Sequence, residues 1–426
     1  MSKKLSRRDF LKLAGATSAG LALSACGVKA TELPTATFVP PTATLTITPT
    51  STSTPEPSPT SKPKRLTFRD ITERTGTYIC ATVSGDEDWQ SPAYISIENE
   101  LFSGIFIQNS FMRDVVDKWT DYTGKEFLKR AKSANQITII HPGFWNLNTL
   151  LDNNNQYKVG GKYIDPIWYA PPEEVMKVMD EYADFVMSYV KKVTGTEPPT
   201  VVHIANEIWD YDLDAGGSYS AWAESPYNTA CRKLDRNPIV EAYMKHYNAA
   251  IKRGRIVGKD VRLSISDYNL VNLGGKTQFV HDLYLEAKQE IAKQIGTSVD
   301  QVQFDVSLEC HEYVTDRPYY HRPYPSQEEL EQVIDFWNED FTGIHLTEIN
   351  AVGNIDQDVS NNTLAKYLRA GVKKHCKSTS IWNSLRVTDP NNGNDSFYHD
   401  HNLFDDRHQP TDNYYKIVDD VWNLIS

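Results

Sequence analysis

Beyond residue 65 the chain repeats one alternation, a short β-branched apolar run followed by a longer amphipathic stretch. The runs fall at about 77–83, 104–108, 136–141, 200–205, 261–266, 303–308, 343–348 and 378–383. Between them the clearest helical patterns are Glu173 to Val193, Pro238 to Gly254, Gln278 to Gly296, Ser326 to Asn338, Thr363 to His375 and Asn413 to Leu424. Several runs, such as Val201-Val202-His203-Ile204-Ala205, are nearly continuous in apolar residues, as expected of strands covered on both faces. Eight strand–helix units in one chain predict an α/β fold, a (β/α)8 TIM barrel with generous loops, over 65–426. No solenoid-type period competes with that reading.

The first 64 residues belong to neither pattern. Residues 1–26 read as an export signal: Ser6-Arg7-Arg8-Asp9-Phe10-Leu11-Lys12 is a twin-arginine pattern, and the apolar stretch Leu13 to Ala25 follows it. That stretch is too short and too rich in Ala and Gly for a stable membrane span. Its end, Leu23-Ser24-Ala25-Cys26, resembles a bacterial lipobox, which would make Cys26 the lipid-bearing residue. Residues 27–64 are a Thr/Pro/Ser-rich linker, for example Pro40-Pro41-Thr42-Ala43-Thr44. Such a segment buries too little apolar area to offset its ordering entropy and is expected as a disordered stalk. Anchor, stalk and globular domain together suit a protein exported by the twin-arginine route and held at a membrane or released outside the cell.

The net charge of −12 argues against a nucleic-acid partner, which needs a basic surface. Four further cysteines, Cys80, Cys231, Cys310 and Cys376, show no knuckle spacing. Since twin-arginine substrates fold before export, these are expected as free, buried thiols. His399 and His401 lack the His-x-x-x-His spacing of a zinc site, so neither metal nor cofactor is expected. Nine Trp and 23 Tyr are enough both to fill a core and to stack on the apolar faces of sugars.

In a barrel of this kind, chemistry gathers at the C-terminal ends of the strands. Polar groups lie at those ends here: Asn206-Glu207 after strand four, Asp267-Tyr268-Asn269 after strand five, Glu309 and His311 after strand six, Glu348 after strand seven, and Trp382-Asn383 after strand eight. Glycosidic cleavage needs one carboxyl to protonate the leaving oxygen and a second to attack, or to activate water at, the anomeric carbon. Glu207 is expected as acid/base and Glu348 as nucleophile. A carboxyl separation of about 5–5.5 Å would imply retention of configuration.

The ordered set of segments resembles glycoside hydrolase family 10, the endo-1,4-β-xylanases, over residues 70–426. His203-Ile204-Ala205-Asn206-Glu207 is similar to the family's acid/base segment, and Leu346-Thr347-Glu348-Ile349 to its nucleophile strand. Ser266-Asp267-Tyr268-Asn269, Leu308-Glu309-Cys310-His311, and Leu403-Phe404-Asp405 with Tyr414-Tyr415 resemble three further family segments. The resemblance implies that Asn206 binds the sugar 2-hydroxyl at subsite −1 and that His311 orients the nucleophile. It further implies that Trp382 walls the subsite and that His141, Gln108, Asn109, Glu309 and Tyr268 contribute to substrate binding.

Several positions depart from the family pattern. Gln108 stands for Glu, Met112 for a sugar-binding Lys, Asn350 for Asp, and Glu309 for the Gln that contacts the acid/base. In strand three only His141 of Gln136-Ile137-Thr138-Ile139-Ile140-His141 matches; an alternative register would pair His141 with Trp145 across Pro142-Gly143, which disfavours a continuous strand. Glu309 beside Glu207 would raise the pKa of one of the two and help keep Glu207 protonated, unless an arginine neutralises it. The expected activity is a retaining endo-1,4-β-xylanase acting on xylan. The alternatives are a related barrel hydrolase for another β-glycan, or a surface carbohydrate-binding protein without catalysis.

Overall fold

The computed structural model describes residues 65–83, 92–108, 122–141, 144–145, 157–159, 162–164, 170–190, 199–208, 226–313, 325–352, 357–382, 403–405, 407 and 409–426. All of them lie in the compact unit Pro63–Ser426. The expectations placed on Cys26, the 27–64 stalk, Asn109, Met112, Asn383, His399 and His401 fall outside these residues.

Eight parallel strands carry the fold: β1 (Tyr78–Val83), β2 (Gly104–Gln108), β3 (Ile137–His141), β4 (Thr200–Asn206), β5 (Val261–Asp267), β6 (Asp305–Tyr313), β7 (Gly343–Val352) and β8 (Ser378–Ile381). They pair in the order β3-β2-β1-β8-β7-β6-β5-β4, and β3 pairs with β4 at Thr138↔Thr200, Ile139↔Val201 and Ile140↔Val202. That last pairing closes the sheet into the (β/α)8 barrel. Across the seam the Thr138 hydroxyl donates to Thr200 Oγ1 at 3.1 Å. A two-residue strand, Phe144–Trp145, adds onto the end of β4, so the chain past His141 pairs in the sheet a second time.

The helices are α1 (Phe68–Thr75), α2 (Pro92–Leu101), α3 (Tyr122–Ser133), α4 (Pro172–Tyr189), α5 (Pro226–Lys233), α6 (Pro238–Lys252), α7 (Gly275–Ile295), α8 (Gln327–Asn338), α9 (Gln357–Lys373) and α10 (Asp412–Ile425). Their ends follow local chemistry. Ser326 and Glu329 form a capping box at α8, satisfying backbone donors that a helix start leaves open. Asn237 caps α6 ahead of Pro238, whose fixed φ suits the first turn. Gly76, at φ 77°, ends α1 in the left-handed region.

The main apolar core lies between strands and helices, with Phe102, Tyr182, Tyr284, Trp337 and Tyr414 among its large buried members. Inside the barrel the filling is uneven. Cys80, Phe106, Ile137, Ile139 and Val201, from β1 to β4, form a separate apolar cluster. From β5 to β8 the inward positions are polar: Asp305, Ser307, Glu309 and His311 recur at every second residue of β6. At the base, Arg262 on β5 forms a two-pronged ion pair with Asp305 at 2.6 and 2.7 Å, and Asp305 also accepts from Thr342 and His345. Strands six and seven extend past their expected ends, to Tyr313 and Val352. Glu309, His311 and Glu348 therefore sit within strands, not at their tips.

Candidate active site

Glu348 is placed by an irregularity in β7. The pairing of β7 with both neighbours shifts register around it, and its φ is 53°. A non-glycine residue in the left-handed region costs free energy, and such bulges re-aim side chains. Glu207, just beyond β4, has φ 46°, and β4 has its own register shift between His203 and Ala205. Both expected catalytic carboxylates thus occupy strained backbone at one end of the barrel.

Two imidazoles flank Glu348, a residue only 5% exposed. His311 Nε2 donates to Oε2 at 2.8 Å, and His141 Nε2 faces Oε1 at 3.2 Å. Burial alone would push the Glu348 carboxyl up, but His141 and His311 outweigh it and hold the group below its ordinary range. His311 also donates from Nδ1 to Asn350 Oδ1 at 2.6 Å. Burial disfavours its charge, yet Glu348, Asn350 and Glu207 together raise its pKa, as suits an imidazolium with two acceptors. His141 goes the other way: burial lowers its imidazole to about 4.

Glu309 faces the same cluster from β6. Burial first, then the charges of Glu348, Glu207 and Asp267, lift its pKa well above the usual range. Ser266 Oγ donates to its Oε1 at 3.1 Å, and Oε2 has no partner among the described residues. No arginine partner for it occurs among them either. The pKa of Glu309 itself is therefore raised. Glu309, His311 and Glu348 offer one donor atom each within 4.8 Å, the geometry a cation would need. His311 has both ring nitrogens committed as donors, however, so the trio is an acid–base cluster and not a ligand set.

The remaining expected residues gather at the same end. Asn206 closes β4, buried, with its Oδ1 unpartnered among the described residues. Gln108 closes β2 in register with His141. Trp382, half-buried after β8, stands edge-on to His311 at 5.8 Å and to Phe106 at 6.1 Å. Tyr268 lies under the Lys276 ammonium, 3.4 Å from its ring centroid, and Lys276 also donates to Asp267 at 2.9 Å. Sequence reasoning missed Lys276, Ser307 and the part played by His203. The only signal for the last two was polarity at inward positions of strands otherwise read as apolar.

A closed parallel barrel that carries a buried glutamate between two imidazoles at the C-terminal end of its strands is a class of architecture on which many hydrolases are built. Within that class the fold is that of the family 10 xylanases. The chain superposes on the endo-1,4-β-xylanase XylE of Penicillium canescens with a TM-score of 0.61 and 15% identity, over 84% of this chain and 98% of that one. Xylanase 10B of Thermotoga petrophila, solved with xylobiose, gives 0.59 and 16% over 86% and 100%. The family 10 xylanase of Bispora sp., also with xylobiose, gives 0.60 and 14% over 83% and 100%. Residues 4–24 match the twin-arginine translocation pathway signal sequence, so the chain carries a twin-arginine export signal. No curated protein sequence matches it.

Proposed function

We propose that this protein is an exported retaining endo-1,4-β-xylanase, with Glu348 as nucleophile and Glu207 as acid/base. The observation that carries the reading is Glu348 itself: a buried carboxylate, held ionised by two imidazoles, in strained backbone at the barrel mouth. A nucleophile must be a poised anion, and this arrangement maintains one without solvent. Glu207 is close enough to act electrostatically on both His311 and Glu309. A sugar lodged beside Glu348 would donate its 2-hydroxyl to Asn206 Oδ1, which has no partner among the described residues, and rest against Trp382. His141, Gln108, Asn109, Glu309 and Tyr268 complete the sugar contacts in this reading. Lipid on Cys26 would tether the enzyme through the 27–64 stalk.

The test is product release from xylan, glucan and mannan, with the anomer of the first product read by NMR. Hydrolysis of xylan with retention is expected, and Glu207→Ala and Glu348→Ala should each abolish it. A second reading, hydrolysis of another β-glycan, is motivated by Gln108 and Met112, which differ from the xylanase pattern at positions that contact the next sugar. Preferential glucan or mannan release would favour it. Binding without any release would leave only a carbohydrate-binding protein. Labelling with a radioactive fatty acid, abolished by Cys26→Ala, tests the anchor.

A further inference from the structure

The protons behind Glu348 are fixed by a single requirement, that its carboxylate can only accept. His141 Nε2 lies 3.2 Å from Oε1, an ion-pair distance at which a bare lone pair would repel the carboxylate, so the geometry favours a proton on Nε2. Burial holds this imidazole neutral near pH 7, so it carries one proton and Nδ1 is a bare lone pair. His203 Nδ1 lies 2.8 Å from that lone pair. Two bare nitrogens would repel at this distance, so the proton between them belongs to His203. Its Nε2 is then an acceptor, and Ser307 Oγ stands 2.9 Å away to donate. Ser307 accepts in turn from Ser264 Oγ at 2.7 Å. Every member is buried, and the chain crosses the barrel from β5 through β6 and β4 to β3.

We propose that His203, backed by Ser307 and Ser264, is a positioning residue that fixes His141 as the neutral, Nε2-protonated tautomer and so gives Glu348 one uncharged donor opposite cationic His311. The inference rests on Glu348 being the nucleophile. Two imidazolium ions on one carboxylate would stabilise the anion and blunt its attack; one cation and one neutral donor orient it at less cost to its reactivity. The groups around the pair agree with this division. His141 faces Glu348, His311, His203 and the Phe106 ring at 4.8 Å. His203 faces His141, the Phe106 ring at 5.6 Å and, more remotely, His345, and no carboxylate that would favour its charge accompanies them among the described residues.

The wild-type chain, labelled with 15N-histidine, gives a direct readout through two-bond proton–nitrogen correlations between about pH 6 and 8, where neutral tautomers and imidazolium differ. Expected are Nε2-protonated, neutral His141 and Nδ1-protonated His203. An imidazolium or Nδ1-protonated His141, or an Nε2-protonated His203, overturns the proposal without any variant having to fold. His203→Gln keeps an amide donor, whereas His203→Met keeps length and loses it. The His141 tautomer should survive in the first and be lost in the second. With it, kcat on xylan should fall about 10- to 100-fold in the Met variant at little-changed KM, and recover in the Gln variant. Equal behaviour of the two variants would reduce His203 to packing. If the tautomers are as stated and xylan is not cleaved, the positioning chain stands and the proposed activity falls.

Discussion

Glu309 is a carboxylic acid whose surroundings resist its ionisation, and that has two measurable consequences. Burial and the charges of Glu348, Glu207 and Asp267 hold its folded-state pKa well above the unfolded value of about 4.3. Below both values the group is neutral in either state and costs nothing. As pH rises past the unfolded value, the unfolded chain sheds a proton the folded site retains, so stability declines until the folded pKa is reached. Glu309→Gln mimics the protonated form and should be the more stable protein near neutral pH, with an advantage that vanishes near pH 4; thermal melts across that range read it. For activity, the variant should match the wild type at neutral pH and extend the alkaline limb, where the wild type acquires a further negative charge beside Glu348. An unshifted limb would mean that Glu309 does not titrate with catalysis. The Gln-to-Glu departure was visible in the sequence, as was the expectation that one carboxyl would be lifted. That Glu309 is lifted depends on its burial, at 2% exposure, and no residue pattern encodes that.

The strands that carry these residues show how local sequence and tertiary pairing share control. All eight barrel strands were legible because their runs are β-branched and bounded by turn residues. Four helices were not: α1 and α5 span eight residues each, α2 only ten, and α3 begins Tyr-Thr-Gly, which reads as a turn. The left-handed conformations of Glu207 and Glu348 were equally hidden, since they arise from register shifts between strands that pair only in the closed sheet. At φ 53° glycine is favoured over alanine by about 1 kcal/mol, so Glu348→Gly should melt above Glu348→Ala by roughly 1–2 °C, though both are inactive. Identical melting would deny that strain is stored there. At the other end of the same strands, Asp305 bonds Arg262, Thr342 and His345. Burial opposes its charge, but His345 and Arg262 hold its pKa below the usual carboxylate range. Its contribution is therefore complete above the unfolded value of about 3.9 and lost as pH falls towards the folded one. Asp305→Ala leaves Arg262 unpaired and should cost about 3–5 kcal/mol near neutral pH, less in acid. Denaturant melts at two pH values give the comparison, and a pH-independent loss would contradict the assignment.

Across the whole molecule, the export route and the cysteine chemistry constrain each other. A twin-arginine signal occupies residues 4–24, and its route carries chains folded beforehand in a reducing compartment. A protein so exported is expected to reach its stability without disulfides, through its core and its non-covalent contacts. Cys80, Cys231, Cys310 and Cys376 are free and buried, dispersed over β1, α5, β6 and the turn before β8. Burial raises the thiols of Cys80, Cys231 and Cys376 to about 12, and Cys310 also well above its ordinary value. Thiolate, the reactive form, is therefore scarce, and access is closed as well. The large apolar core between strands and helices makes covalent staples unnecessary for a unit of this size. Two outcomes follow together. The melting temperature should be the same with and without a reductant, and a thiol reagent near pH 8 should leave these four cysteines unmodified in the native protein yet label all four once denatured. Stabilisation by oxidation would mean that two of these thiols, free among the described residues, have met and paired. Rapid native labelling of Cys80 would carry a different message. Its side chain belongs to the apolar cluster inside the barrel with Phe106 and Val201, so labelling would show that this part of the interior opens to solvent.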